Sequence, residues 1–556
     1  MILFILTPFL YPCTNLIVTK GASKEGYNTI SYAADSFGIY GVMKIQDAAD
    51  HPAGTMRQIH DWDSGKYLGE IPEVAHTFQV TGNMNEKGLV IGETTWTGKE
   101  RCKNENGIMD YGSLIYTALS RCSTAREAWE TMVKLTDDYG YASTGETFTI
   151  ADKDEIWLLD MIGRGNKVDG KGTLWIAMLV PDGTVSVHAN FPRTQNLAEL
   201  KKLTEVHHSP DLLERSKELN LIHESVTLDT FDWSVATNGI NPPNMRYGDG
   251  RVVSFFAEVV DHKDLEDDMY KDYLLGDYTK PRPKQFYKPK EKVSLETVMK
   301  MMGNHHEDIS IHFANDVGAG PYHAPYRNRP LTWTSTNGEK RLNERSIGTP
   351  QTGWLFVSQC RPDLPEGLGG MFWFGVDDGA TTVYVPHFSA VRRVHDTYVQ
   401  NDDHNIYKFS FNSLFWVHNL VSNLCYSNYI NIYPEVQARM NQQHKFFKNE
   451  LRKAEKVAIS LAHRDVTVAQ EYVTNVCMQW ADKQLNDWND FFKYLFLRYN
   501  DQTRKLVPTG QINPIVEFLP YQNNWYKRIT EDHGDLYEIP EANSMGKEDW
   551  DYLKNV

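Results

Sequence analysis

The chain has 556 residues, 41% apolar and 23% charged, an ordinary globular composition with enough apolar residues for a large core. Fifty-seven basic against 73 acidic residues leave a formal charge of −16, which argues against nucleic acid and anionic membrane surfaces as partners. Beyond residue 12 no apolar run approaches the ~20 residues needed to span a bilayer.

Residues 1–12, MILFILTPFLYP, are mostly apolar and uncharged, and read as a removable leader or propeptide. No Lys or Arg precedes Lys20, and Pro12 suits a signal-peptidase site poorly. An apolar leader points to export, periplasmic or secreted; an autocatalytic propeptide would leave the protein cytoplasmic. CTNLIVTKGASKEGYNTISYAADS then predicts a strand, a Gly-containing turn and a second strand that ends at Asp35. Residues 74–96 read as strand, turn, strand, with the turn at Asn85-Glu86-Lys87-Gly88. Over 111–139 the apolar period lengthens to that of two amphipathic helices, the second capped by Ser123 or Thr124. Segments 145–161 and 172–190 return to strands.

The stretch 262–293, rich in Asp, Lys, Pro and Tyr and without periodicity, is predicted as a surface insertion. Strands are predicted again at 354–360, 369–376 and 381–388, helices from about 440, and irregular structure over the last 45 residues. Strands, a helical layer and strands again predict an α+β fold of mostly antiparallel sheets covered by helices. The expected organisation is a catalytic domain over 13–400 and a mainly helical region over 401–556.

Cys13 stands where the leader meets the first hairpin. Cleavage before it would give one residue a thiol to attack an amide and an α-amine to take the proton. Their reference pKa values are ~8.5 and ~8, so each is partly in its reactive form near neutral pH. The competing readings are a small buried hydrophobe on a strand and a lipid-modified cysteine, which normally follows a smaller residue than Pro12. The six cysteines (Cys13, Cys102, Cys122, Cys360, Cys425, Cys477) are too scattered for a disulfide framework and form no CxxC pair. The adjacent pairs His207-His208 and His305-His306 cannot both face one metal, and read as solvated loop histidines. There is no glycine-rich phosphate loop and no GxSxG elbow.

Several segments together resemble one family, the dipeptidase A-like cysteine peptidases of the N-terminal-nucleophile hydrolases, relatives of penicillin V acylase and bile salt hydrolase. They include CTNLIVTKGASKEG, AADS, NEKGLVIGETTW, TAREAWETMVKLTDDYGY, GETFTIADKDEIWLLDMIGRG, LVPDGTVSVHANFPR, GAGPYHAPYRNRPL and VSQCRPDLPEGLGGMFWFGVDDGATTVYVPHF, in order from residue 13 to about 390. The resemblance implies a four-layer αββα sandwich and hydrolysis of dipeptides or short peptides through a thioester, with no metal or organic cofactor. It implies Cys13 as nucleophile and, through its freed amine, as base. Asp35 would lie close to that amine, Asn190 would donate to the oxyanion, and Thr95 or its neighbour Thr94 would face the reacting carbonyl. Taken singly, Asp35, Thr95 and Asn190 also fit turn or capping roles.

Where relatives carry an Arg, this chain has Tyr32, so thiolate stabilisation has to come from elsewhere; Arg193 is one candidate. The stretch ANFPR replaces the usual ANQAR in the pocket wall. Glu93 is a candidate for a substrate's free amino group, whereas Arg327 and Arg329 read as loop decoration. Two alternatives remain: an acylase of penicillin V-like or conjugated bile-acid amides, and a non-catalytic surface protein tethered by an uncleaved N-terminus. The sequence leaves homo-oligomer formation open.

Overall fold

In β1 (Cys13–Val18) successive side chains point to opposite faces, and every residue is buried. Leu16 and Val18 enter one apolar cluster while Cys13 and Ile17 enter another, so the strand lies between two cores. This computed structural model describes residues 13–539, except 105, 167–170, 266, 313, 315, 363, 366 and 509, together with 551 and 554. The predicted leader, 1–12, lies outside the described residues.

The main strands that follow are β2 (Thr29–Asp35), β3 (Val90–Trp96), β4 (Gly145–Ala151), β5 (Ile156–Gly163), β6 (Thr173–Leu179) and β7 (Val185–His188). After a long interval come β8 (Thr352–Cys360), β9 (Gly370–Val376) and β10 (Val385–Phe388). They form two antiparallel sheets. One runs β7-β1-β2-β8-β9-β10. The other runs from Val206–His208 through β6, β5, β4 and β3 to short pieces at Met84–Asn85, Val80–Thr81 and Ile45–Gln46.

Two helices, α1 (Tyr111–Arg121) and α2 (Ala125–Tyr139), share a cluster with the second sheet: Leu114, Ala118 and Met132 meet Phe148, Trp157 and Leu159. Of the two caps predicted for α2, Thr124 does the capping, accepting from the Glu127 backbone N–H. A middle cluster joins both sheets, with Ile17, Ile30 and Phe356 from one and Leu158 and Ile176 from the other. The third cluster joins the outer side of the first sheet to α3 (Pro242–Val259), α4 (Leu414–Ser427), α5 (Tyr429–Ala462) and α6 (Val466–Tyr499). The fold is thus mixed α+β, with antiparallel sheets and long C-terminal helices. Among the described residues no helix is long and apolar enough to cross a membrane.

Four local expectations differ from the structure. Helix begins at Leu414 and not near 440, because Ser413 caps α4 and its apolar residues recur at helical spacing. Segment 262–293 is not wholly superficial: Tyr273, Leu274 and Tyr287 are buried in the third cluster. The tyrosine hydroxyls find partners, Tyr273 donating to Asp249 at 2.7 Å and Tyr287 meeting Tyr270 at 2.8 Å, so tyrosines join aliphatics in its core face. The C-terminal stretch is not irregular throughout, since it forms a hairpin (Thr503–Leu506 with Ile515–Phe518) and a helix (Asn523–His533). Finally, His305 and His306 are buried and not solvated. His306 contacts the Arg345 carbonyl at 2.8 Å through Nε2 and Ser254 Oγ at 3.1 Å through Nδ1. Burial pushes its pKa down to about 3, so it is neutral.

Candidate active site

Strand pairing sets Cys13 opposite Ala34, at the end of β2 that carries Asp35. The Cys13 side chain points into the middle cluster, as do Tyr32 and Ala34, two residues apart on one face of β2. From the facing sheet β3 brings Glu93. The Cys13 Sγ–H lies 3.4 Å from Glu93 Oε1, with the Tyr32 hydroxyl 3.8 Å from Sγ, and Tyr32 donates to the same Glu93 oxygen at 2.5 Å. Thr95 shares that face of β3 and stands directly opposite Glu146 of β4. Its hydroxyl meets Glu146 Oε1 at 2.8 Å and Glu93 Oε2 at 3.4 Å. Thr94 points to the other side, where it meets His188 Nδ1 at 2.6 Å.

Asn190 follows β7 with φ of +52°, a left-handed conformation that asparagine tolerates better than most residues. Its side chain gathers the site. Oδ1 accepts from the Cys13 backbone N at 2.8 Å, from Arg251 Nη2 at 2.9 Å and from Arg345 Nη1 at 3.2 Å, while Nδ2 donates to the Thr95 carbonyl at 2.7 Å. Arg251, from α3, also donates to the Cys13 carbonyl at 2.7 Å. Asp35 is fully buried and accepts from Arg345 Nη2 at 2.9 Å and Thr352 Oγ1 at 2.7 Å.

Burial dominates the electrostatics. It pushes the Asp35 carboxyl up to about 6 despite Arg345, Thr352 and Arg251, which pull the other way. Burial, then Glu93 and Asp35, push the Cys13 thiol well above its usual range, opposed by the Tyr32 hydroxyl. The thiol therefore rests protonated. Burial and the neighbouring Glu93 hold Glu146 well above the usual carboxylate range, so Glu146 keeps the proton of this close pair; burial raises Glu93 as well, opposed by its hydrogen bonds with Tyr32, Glu146, Cys13 and Thr95. A cavity of about 220 Å³ opens over the thiol, lined by Cys13, Tyr32, Glu93, Lys44, Trp62 and Trp354 among others.

Of the residues singled out from the sequence, Cys13, Tyr32, Asp35, Glu93, Thr95 and Asn190 come together here. Arg193 does not join them: it donates to the carbonyls of Val187 at 2.7 Å and Lys284 at 2.5 Å, so its guanidinium ties segments together away from the thiol. Arg327 engages Asp316 and Asn343, and Arg329 donates to Gln351 at 2.6 Å, both within loops. Sequence reasoning missed Arg251, Arg345 and Glu146. A signal existed for Arg251, a cation followed by the apolar run VVSFFA within one helix. Glu146 was findable once β3 and β4 were paired. Arg345 sits in an irregular segment that carries no periodic signal.

The structure thus gathers a buried cysteine at the head of a strand, a carboxylate, an asparagine and two guanidinium groups. Residues 12–442 match the family described as Peptidase family C69, and the chain belongs to that family. It is similar to a probable dipeptidase of Latilactobacillus sakei, 21% identical over 76% of this chain and 82% of that protein. A probable dipeptidase B of Streptococcus pyogenes serotype M1 is 22% identical over 87% of this chain and 93% of its own length. Dipeptidase A of Lactobacillus helveticus is 21% identical over 78% and 85% respectively.

Proposed function

We propose that this peptidase hydrolyses dipeptides with Cys13 as an N-terminal nucleophile, on an αββα sandwich extended by the C-terminal helices. The three apolar clusters and two facing sheets support that description of the fold. The observation that carries the mechanism is the convergence on Cys13: its N is held by Asn190, its carbonyl by Arg251, and its thiol faces a cavity.

In this reading the bond before Cys13 is first broken, which turns the backbone N into an α-amine. The amine takes the thiol proton, and the sulfur attacks the scissile carbonyl. Asn190 donates to the oxyanion; a fixed donor of this kind is worth ~3–4 kcal/mol of barrier. As the tetrahedral species collapses, the α-ammonium returns the proton to the leaving amine and a thioester remains. Water, deprotonated by the same amine, attacks the thioester and restores the thiol. Asp35 and the two arginines act by positioning: they fix Asn190 and the end of β2 around the reacting residue. The thiol needs no permanent cation at position 32, because its proton passes directly to the adjacent amine.

Mass spectrometry of active protein should find Cys13 as the first residue, and Cys13→Ala should abolish hydrolysis of Ala-Ala. Active protein that begins at Met1, or a Cys13→Ala variant that still turns over Ala-Ala, would overturn this mechanism.

A further inference from the structure

Lys44 lines the cavity above the thiol and is the one cationic side chain in its lining among the described residues. Its ammonium is held 3.2 Å from the centroid of the Trp62 ring and 4.9 Å from that of Tyr116, so its position is defined by aromatic faces. Among the described ion pairs none involves Lys44, although Asp63, a carboxylate, lines the same cavity. Asp63 is instead engaged by the Tyr111 hydroxyl at 2.8 Å. Burial pushes the Lys44 ammonium down to about 8, with Asp110 pulling the other way, so this cation, fixed on an indole and in no described ion pair, suits an incoming anion.

Opposite in charge, Glu93 lies 3.4 Å from the nucleophilic sulfur. That proximity restricts what it can recognise. The α-ammonium of a peptide's first residue lies on the order of 2.5 Å from that residue's carbonyl carbon, from standard bond lengths and angles. A carboxylate beside the attacking sulfur therefore suits an ammonium on the carbon next to the scissile carbonyl, and no group farther along the substrate. Beyond the scissile bond a dipeptide has one more residue, ~3.5 Å of extended chain, before its terminal carboxylate. Both ends of such a substrate must then fit in one small cavity, which among the described residues holds a single cation, Lys44, and a carboxylate, Glu93, beside the attacking sulfur.

We propose that Lys44 is a specificity-determining residue which binds the terminal carboxylate of the substrate while Glu93 binds its α-ammonium, so that the site selects unblocked dipeptides. This rests on the Cys13 reading above, and adds to it a limit on substrate length at both ends.

The test compares kcat/KM for Ala-Ala and its amide, Ala-Ala-NH2, in the wild type, Lys44→Met and Lys44→Arg. The wild type should prefer the free carboxylate at least tenfold. Lys44→Met should erase that preference through KM, with Ala-Ala-NH2 cleaved at the wild-type rate, and Lys44→Arg should restore most of it. Equal preference in wild type and Lys44→Met would refute the carboxylate site and leave the Cys13 mechanism standing. Parallel loss of both substrates in Lys44→Met would assign Lys44 to the fold and also refute it. At the other end, Glu93→Gln should shrink the preference for Ala-Ala over its des-amino analogue, propionyl-alanine, at least tenfold; an unchanged preference would refute that half. A wild type that cleaves no dipeptide would overturn both readings.

Discussion

Replacing Arg345 with Met removes one member of a buried ion pair and leaves the Asp35 carboxylate without its nearest cation. The two charged groups are 2.9 Å apart, with side chains 5% and 0% exposed. At an effective dielectric of ~20, charges at that separation attract by about 6 kcal/mol. Desolvation offsets much of this, and breaking such a pair from one side typically costs 3–5 kcal/mol. Asp35 also makes the effect pH-dependent. Its folded-state pKa is about 6, above the ~3.9 of an unfolded chain, so its share of stability is complete below ~3.9 and declines as pH rises through 6. Without Arg345 the carboxyl moves higher still and the decline extends further. The deficit of Arg345→Met should therefore be the full 3–5 kcal/mol at pH 8 and clearly smaller at pH 5, where Asp35 is mostly protonated in both proteins. Urea midpoints at the two pH values measure it. The double variant Asp35→Asn/Arg345→Met should recover part of the loss, since it buries no unpaired charge. A deficit under ~1 kcal/mol, or one equal at pH 5 and pH 8, would refute the reasoning.

Other expectations follow from single contacts. A Cβ at Gly92 would strike Asn15 Oδ1 and press on Tyr32 Cβ at 3.2 Å. Gly92→Ala should therefore cost ~1–3 kcal/mol and slow dipeptide turnover; unchanged kcat/KM would show that Tyr32 can shift freely. Because Glu146 keeps its proton, Glu146→Gln should stay within ~1 kcal/mol of wild type in thermal unfolding. A loss of ~3 kcal/mol would mean that the carboxyl is ionised. Burial pushes His188 down to about 3, below the ~6.5 of an unfolded chain, so the stability it contributes above ~6.5 is lost as pH falls towards 3. His188→Asn should flatten the fall in Tm between pH 7 and 5, and an unaltered slope would contradict the assignment. Thr124→Ala, which removes the cap of α2, should cost about 1 kcal/mol in the same measurement.

The strands around the thiol were legible because alternation and turn residues are local signals. Cys13–Val18, Val90–Trp96 and Thr352–Cys360 all fall where the apolar pattern predicts them. Cys13, Asp35 and Asn190 stood out for their order in the family pattern, which is again a property of short segments. The remainder of the site depends on pairings between distant segments. Nothing local announces that Thr95 will face Glu146, or that an irregular loop will deliver Arg345 to Asp35. The buried His305 and His306 were misread for the same reason, since the groups that enclose them, Tyr426 and the Arg345 carbonyl, are far away in the chain.

The long reach of the Asp35–Arg345 pair also sets an order of events during synthesis. Cys13 is made well before Arg345, and the pair that ties Arg345 to the strand beside it spans 310 positions. At elongation rates of roughly 5–20 residues per second, that is a delay of about 15–60 s. Through this interval the nascent chain carries a thiol that lacks its full set of neighbours. A shortened product that ends before Arg345 would remain in that state permanently. Synthesis as far as Arg345 thus acts as a timer on the reactive centre, written into the distance between two charges.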